Sequence, residues 1–304
     1  MTAGAAALPY VDGHTHFDAK DPQASVQAAL AAEAAQNAAM IFFLPPPDTF
    51  ANPNRFDAEA ILPEAKKHPG RLAVLGGGGT LNAMIQRGDT DRKAFQERAE
   101  ALVAEGVIGF GEMTAEHFAG GTPYQSVPPD HPLFLLLADI AARHAKPIVL
   151  HLEAVPQEMP LPSGLKSPPN PPRLRENIRA FERLLSHDVR AKIVWAHLGT
   201  DGTGARTPAL CRTLLGAHPN LFMEIKTNGH GENAVLENGK VGGAWLQLFR
   251  DFPDRFLIGS DQHYPDNAPA PRWTGPVTVL NQLPKDLKQA IGKDNAMKIY
   301  GLSK

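Results

Sequence analysis

Apolar runs and amphipathic stretches alternate from one end of this chain to the other. Runs at 9–15, 39–44, 71–76, 106–112, 147–152, 191–197, 220–226 and 255–261 read as eight strands. Several are apolar at consecutive positions, as strands covered on both faces require. Between them Ala24 to Asn37, Asp57 to Lys67, Asp91 to Glu105, His131 to His144, Leu174 to His187, Pro208 to Ala217 and Ala244 to Asp251 read as helices, and a last one runs from Leu287 to Tyr300. The alternation predicts βα units around a parallel sheet, an α/β class closed as a (β/α)8 barrel. An antiparallel sandwich fits poorly.

Turn residues support these boundaries. His68-Pro69-Gly70, His218-Pro219-Asn220 and Asp251-Phe252-Pro253-Asp254 sit between a helix and the next strand, where the chain must reverse. Proline-rich segments follow strands instead: Pro45 to Pro47, Pro156 to Pro172 and Pro265 to Pro276. The second of these reads as a lid or a rigid surface loop. Loops after strands build the pockets of such barrels, so 113–130, 153–172, 198–207, 227–240 and 262–276 are expected to set specificity.

A chain of 304 residues, 43% hydrophobic, is long enough for one such barrel, and a single domain over 1–304 is the simplest organisation. Lys plus Arg (30) nearly balances Asp plus Glu (32), which leaves no electrostatic footprint for nucleic acid or an anionic membrane. No apolar run approaches the roughly 18 residues that span a bilayer. Met1 to Tyr10 has neither the basic nor the apolar region of a signal peptide, so a cytoplasmic location is expected, with export after loss of a leader still compatible. The lone Cys211 rules out an intramolecular disulfide and a thiolate metal cluster. The partner expected is a small-molecule substrate, and a homo-oligomer is compatible.

The chemistry lies at the strand ends. Val11-Asp12-Gly13-His14-Thr15-His16, Val107 to Glu112, Ile148 to His151, Ile193 to His197 and Leu257 to Asp261 are each a strand-like run that ends in a potential metal ligand, and Asn220 to Ile225, with Glu224 inside it, lies between the last two. His14 and His16 are two apart, so both leave one face of a strand. In a parallel barrel the ends of different strands meet at one rim, where His14, His16, Glu112, His151, His197 and Asp261 would converge on a divalent ion.

In this order the six residues resemble the amidohydrolase superfamily of metal-dependent TIM-barrel hydrolases. That family has His-x-His on strand one, a carboxylate or modified Lys on strand four, His on strands five and six, and Asp on strand eight. Asn295 to Leu302 also looks like the closing helix of the amidohydrolase-related (amidohydrolase 2) subgroup. The resemblance implies one or two divalent ions, zinc foremost, that activate water against an amide, lactone or ester. It implies Asp261 as the base that passes the proton to the leaving group, and His197 as either a second-ion ligand or the group that polarises the substrate. Relatives also imply alternatives: one-metal decarboxylation of an aromatic or unsaturated acid, or, from Glu112 in place of Lys, a TatD-like nuclease. A barrel that binds metal without catalysis is the reading from a different class.

Lys226, at the end of strand seven, and His263, two after Asp261, are candidate substrate contacts. Glu116, His117 and Glu153 are candidate pocket linings, and Arg173 and Arg175 stand where a helix is expected to begin. Gly76 to Gly79 lacks the Gly-Lys-Ser/Thr ending of a P-loop and reads as a flexible pocket-lining loop. No Gly-x-Ser-x-Gly elbow appears, so a serine hydrolase has no foothold.

Overall fold

The computed structural model describes residues 8–120, 123–227, 233–266 and 271–302. The opening segment 1–7, and 121–122, 228–232 and 267–270 within three of the expected specificity loops, lie outside them. Eight strands run in parallel: β1 (Tyr10–Phe17), β2 (Ala38–Phe43), β3 (Leu72–Val74), β4 (Phe110–His117), β5 (Ile148–Leu152), β6 (Ile193–Leu198), β7 (Leu221–Ile225) and β8 (Phe256–Ile258). One sheet runs Gln262–Tyr264, β1, β2, β3; the other runs β8, β7, β6, β5, β4, Gly76–Gly77. Both seams are joined covalently, since Gly76–Gly77 continues β3 and Gln262–Tyr264 continues β8. The ring is therefore closed, and among the described residues no long strand edge is left to pair with another chain.

The barrel interior is filled in layers. At the bottom the chain end plugs it: Ala296, Met297, Ile299 and Tyr300 pack with Val11, Met40, Phe42, Leu44, Leu75, Val149, Val194 and Leu257. The Tyr300 and Phe42 rings meet edge to face, 4.9 Å between centroids. Above that apolar layer lie Glu112, Glu224 and the histidines, all at the C-terminal rim. A second, larger core lies outside the strands under the helices and includes Phe95, Phe134, Phe181, Trp195 and Phe249.

Local signals account for the helix ends. Asp21 accepts from Ala24 N at 2.9 Å, Pro22 opens the helix Pro22–Gln36, and Asn37 closes it at φ 57°. Asp91 and Gly106 do the same for Arg92–Glu105, and Thr207 accepts from Leu210 N at the start of Pro208–Ala217. Among the described residues no helix is long and apolar enough to cross a membrane.

Several expected elements differ. The strand expected at 106–112 begins at Phe110 and runs on to His117, because its second half is buried and pairs with both β5 and Gln125–Ser126. Glu112 thus stands within the strand. The helix expected at 57–67 is a 3-10 turn at Ala58–Ala60 and a short helix at Leu62–Ala65. Asp57 there turns inward, accepting from Gly77 N at 2.6 Å and from the Thr80 hydroxyl. The helix expected from Leu174 begins at Ile178, since Arg173–Leu174 pairs antiparallel with Met159–Pro160. That ladder closes the proline-rich segment into a packed flap, whose Met159, Leu161 and Leu165 cover Phe118, Val155 and Leu174. Helices Leu81–Arg87 and Thr274–Gln282 were not expected, and the final helix is interrupted by a π turn at Ala290–Asp294.

Gly76 to Gly79 is not a flexible loop. Gly76–Gly77 pairs with β4, and Gly78 and Gly79 lie where neighbouring backbone comes closest: an added Cβ would meet Pro45 O at 2.3 Å and Phe56 O at 1.7 Å. These glycines permit close packing of two loops.

Candidate metal centre

Glu112 is the hub of the rim. Its Oε1 lies 3.0 Å from His151 Nδ1 and 2.9 Å from His197 Nε2. Its Oε2 lies 3.5 Å from Nε2 of both His14 and His16. One buried carboxylate therefore faces four imidazoles from three other strands, two on each oxygen.

Each ring is held from behind. His16 Nδ1 donates to Leu44 O at 2.9 Å, which turns its Nε2 to the centre. His14 Nδ1 lies 3.0 Å from Glu224 Oε2, with the same result. His151 Nε2 lies 3.6 Å from Glu153. His197 comes inward by a different device. Val194 and Ala196 belong to the interior cluster and Trp195 to the outer core, so simple alternation would send residue 197 outward. A left-handed backbone at His197, φ 64°, turns its ring into the barrel. The buried Arg206 braces that turn: it donates to Ala196 O at 2.5 Å and Trp195 O at 3.2 Å and stacks on the Trp195 ring.

Asp261 also has a left-handed backbone, φ 55°. Its N–H donates to His14 O at 2.8 Å, and the preceding Ser260 donates N–H and hydroxyl to buried Asp12 at 2.8 and 2.6 Å. Such conformations cost about 1–3 kcal/mol each and persist where surrounding contacts fix them, commonly at functional sites. Asp261 Oδ1 lies 3.0 Å from His16 Nε2, while Oδ2 accepts from Lys226 Nζ and from Arg272 Nη1 at 2.8 Å.

Charge in the cluster is strongly coupled. Burial alone would raise the Glu112 carboxyl, but His14 and the hydrogen bonds around it hold it well below the usual range. Burial would lower His14, yet Glu224 and Glu112 push it well above. Asp261 is held well below the carboxylate range against burial, chiefly by Lys226. Burial and Lys226 keep His197 neutral.

The residues fit a divalent cation. Buried His14 Nε2 makes no hydrogen bond although it points at Glu112. Ligand atoms of His14, His16 and Glu112, of Glu112, His151 and His197, and of His14, His197 and Asp261 each lie within 4.8 Å of one another. Imidazole nitrogen with carboxylate oxygen is the donor set that suits zinc and similar ions.

All six residues proposed as ligands come together here. Lys226 reaches the cluster by pairing with Asp261. His263 stands at the mouth, open to solvent, its ring 4.7 Å from that of His16. The His117 ring lies against that of His151, tilted by 50° with 4.4 Å between centroids, and Glu116 accepts from Tyr124 and Ser126, both at 2.7 Å. Arg173 lies away, in an exposed ion pair with Glu158. The sequence reading gave no role to Glu224, Arg272, Asp12 or Arg206. A charged residue inside the buried strand β7 is the one available signal, and it points to Glu224.

No family model matches the chain, and no curated protein matches it. Solved structures do. A 2,6-dihydroxybenzoate decarboxylase from Rhizobium is 16% identical, with 96% of this chain and 98% of that one covered and a TM-score of 0.59. A probable 2-pyrone-4,6-dicarboxylic acid hydrolase from Acinetobacter baumannii is 14% identical over 97% and 100%, TM-score 0.58. An uncharacterised TIM-barrel protein from Bordetella bronchiseptica is 12% identical over 97% and 99%, TM-score 0.63. At such identities the likeness is one of architecture: the chain has the TIM-barrel fold of these proteins.

Proposed function

We propose that this chain is a divalent-metal-dependent hydrolase of the amidohydrolase superfamily, acting on an amide, lactone or ester bond of a small molecule. The observation that carries the proposal is the convergence of His14, His16, His151 and His197 on Glu112, with Asp261 beside them, at the C-terminal rim of a closed barrel. These six side chains would hold the ion, zinc foremost. A cation there supplies Lewis-acid polarisation of a substrate oxygen and makes water acidic near neutral pH. The division of the rings between the two oxygens of Glu112 supports two ligand groups that share it.

The chain's own residues do the rest. Asp261, kept ionised by Lys226 and Arg272, takes the proton from the attacking water and returns it to the leaving nitrogen or oxygen. His16 and the backbone bond from Asp261 to His14 fix that carboxylate in place. His117, lowered to about 4, lines the mouth as a neutral ring, and His263 lines it as well.

Decarboxylation of an aromatic or unsaturated acid is a second reading. It is favoured by the similarity to a 2,6-dihydroxybenzoate decarboxylase and a 5-carboxyvanillate decarboxylase, and by the two cations beside Asp261, which suit a substrate carboxylate. Turnover of lactones, esters, amides and aromatic acids in 18O-labelled water separates the two. Label in the product marks hydrolysis; carbon dioxide release without label marks decarboxylation and overturns the first reading. A metal-loaded chain inert to all of them would return the account to a non-catalytic barrel.

A further inference from the structure

Strand β7 donates none of the six ligands, yet Glu224 within it and Lys226 just past its end enter the cluster. Glu224 is fully buried. Its Oε2 lies 3.0 Å from Nδ1 of His14 and its Oε1 lies 3.7 Å from Nδ1 of His197. Neither Oε1 nor the His197 Nδ1 makes a hydrogen bond, and at 3.7 Å the two do not yet reach each other. Both rings present their other nitrogen, Nε2, to Glu112. A single carboxylate thus stands behind two imidazoles, one oxygen to each.

The space for it is provided by the neighbouring strand. A Cβ at Gly259 would lie 2.2 Å from Glu224 Cδ and 2.4 Å from its Oε1, so any larger residue there would displace the carboxylate. An ionised carboxylate only accepts hydrogen bonds. An imidazole that turns Nδ1 to it keeps its proton on that nitrogen, which leaves the lone pair of Nε2 for a cation.

We propose that Glu224 is a positioning residue: it holds His14 with the proton on Nδ1, and with a cation in place of the Glu112 contact at His197 Nε2 its other oxygen would accept from His197 Nδ1 as well, so that both rings offer Nε2 to the bound ion. The proposal rests on the metal-centre reading above and adds to it a residue outside the ligand set. It predicts that Glu224→Gln, whose amide offers one acceptor and one donor in place of two acceptors, satisfies only one of the rings. Supporting carboxylates of this kind are worth about 10- to 100-fold in metal affinity.

The test is zinc titration of the metal-stripped wild type and Glu224→Gln, together with long-range 15N–1H spectra of the histidine rings in the zinc-loaded wild type. The expected result is Nδ1–H on both His14 and His197, and a Kd about 10- to 100-fold weaker in a variant whose circular dichroism is unchanged. A proton on Nε2 of either ring, or wild-type affinity in the variant, overturns the proposal. If Glu224→Gln does not fold, the wild-type spectrum decides alone. Zinc binding with the wrong tautomer defeats this inference only, whereas a wild type that takes up no zinc defeats the metal reading with it.

Discussion

Lys226 Nζ donates to Asp261 Oδ2, joining the end of β7 to the end of β8 across the rim of the barrel. Arg272 donates to the same oxygen and to the Asp261 carbonyl at 2.9 Å. Two cations therefore hold the carboxylate proposed as the base, and of the groups that keep it ionised Lys226, which is not a proposed ligand, contributes most, ahead of His16 and His197.

Removing one of them tests that relationship. Lys226→Met takes away the charge that most favours ionised Asp261, so its pKa rises and a base that must be deprotonated fails sooner as pH falls. The acidic limb of the kcat/KM profile should move to higher pH by roughly 1–3 units. An unmoved limb would show that Asp261 is not the base or that Lys226 does not govern it.

Gly79 carries a prediction about stability. The close approach of Phe56 O leaves no room for a methyl group, and the obstacle is backbone, which cannot swing aside. Gly79→Ala should destabilise the fold by about 1–3 kcal/mol, the usual cost of overpacking, and lower Tm by several degrees. A Tm equal to that of the wild type would mean that these two loops separate easily.

Cys211 should be inert in the folded chain. It is fully buried within the helix Pro208–Ala217, and burial raises its thiol to about 12. Thiol reagents need the exposed thiolate, so labelling at pH 8 should proceed only as fast as the protein opens and should become rapid in denaturant. Fast labelling under native conditions would contradict the packing around Trp195 and Arg206.

The parts of this molecule that could be read from its sequence are those with local causes. The strands announce themselves because both faces are buried, and His151 follows from alternation within its own strand, with Val149 inside and Leu150 outside. His197 was placed at the rim by its position, but the turn that brings it inward depends on backbone at Ala196 and on Arg206, ten residues away from that carbonyl. The same holds for Asp261, whose conformation depends on Asp12 at the other end of the chain. The helix expected at 57–67 failed because Asp57 is claimed by Gly77 and Thr80, partners that no local pattern reveals. Pairings such as Glu224 with His14 arise only once the ring of strands has closed.

Metal content decides whether the histidine and carboxylate cluster at the rim binds an ion. Elemental analysis of protein purified without added metal should find a divalent transition metal bound to the wild type, lost in His14→Ala with His16→Ala while circular dichroism still reports a folded barrel. Two equivalents in the wild type that fall to one in Glu112→Gln would mark this carboxylate as shared by two ions, and one equivalent in both would mark a one-metal site. A wild type free of metal that takes none up on titration, or a double histidine variant with unchanged content, would contradict the assignment of this cluster as a metal centre.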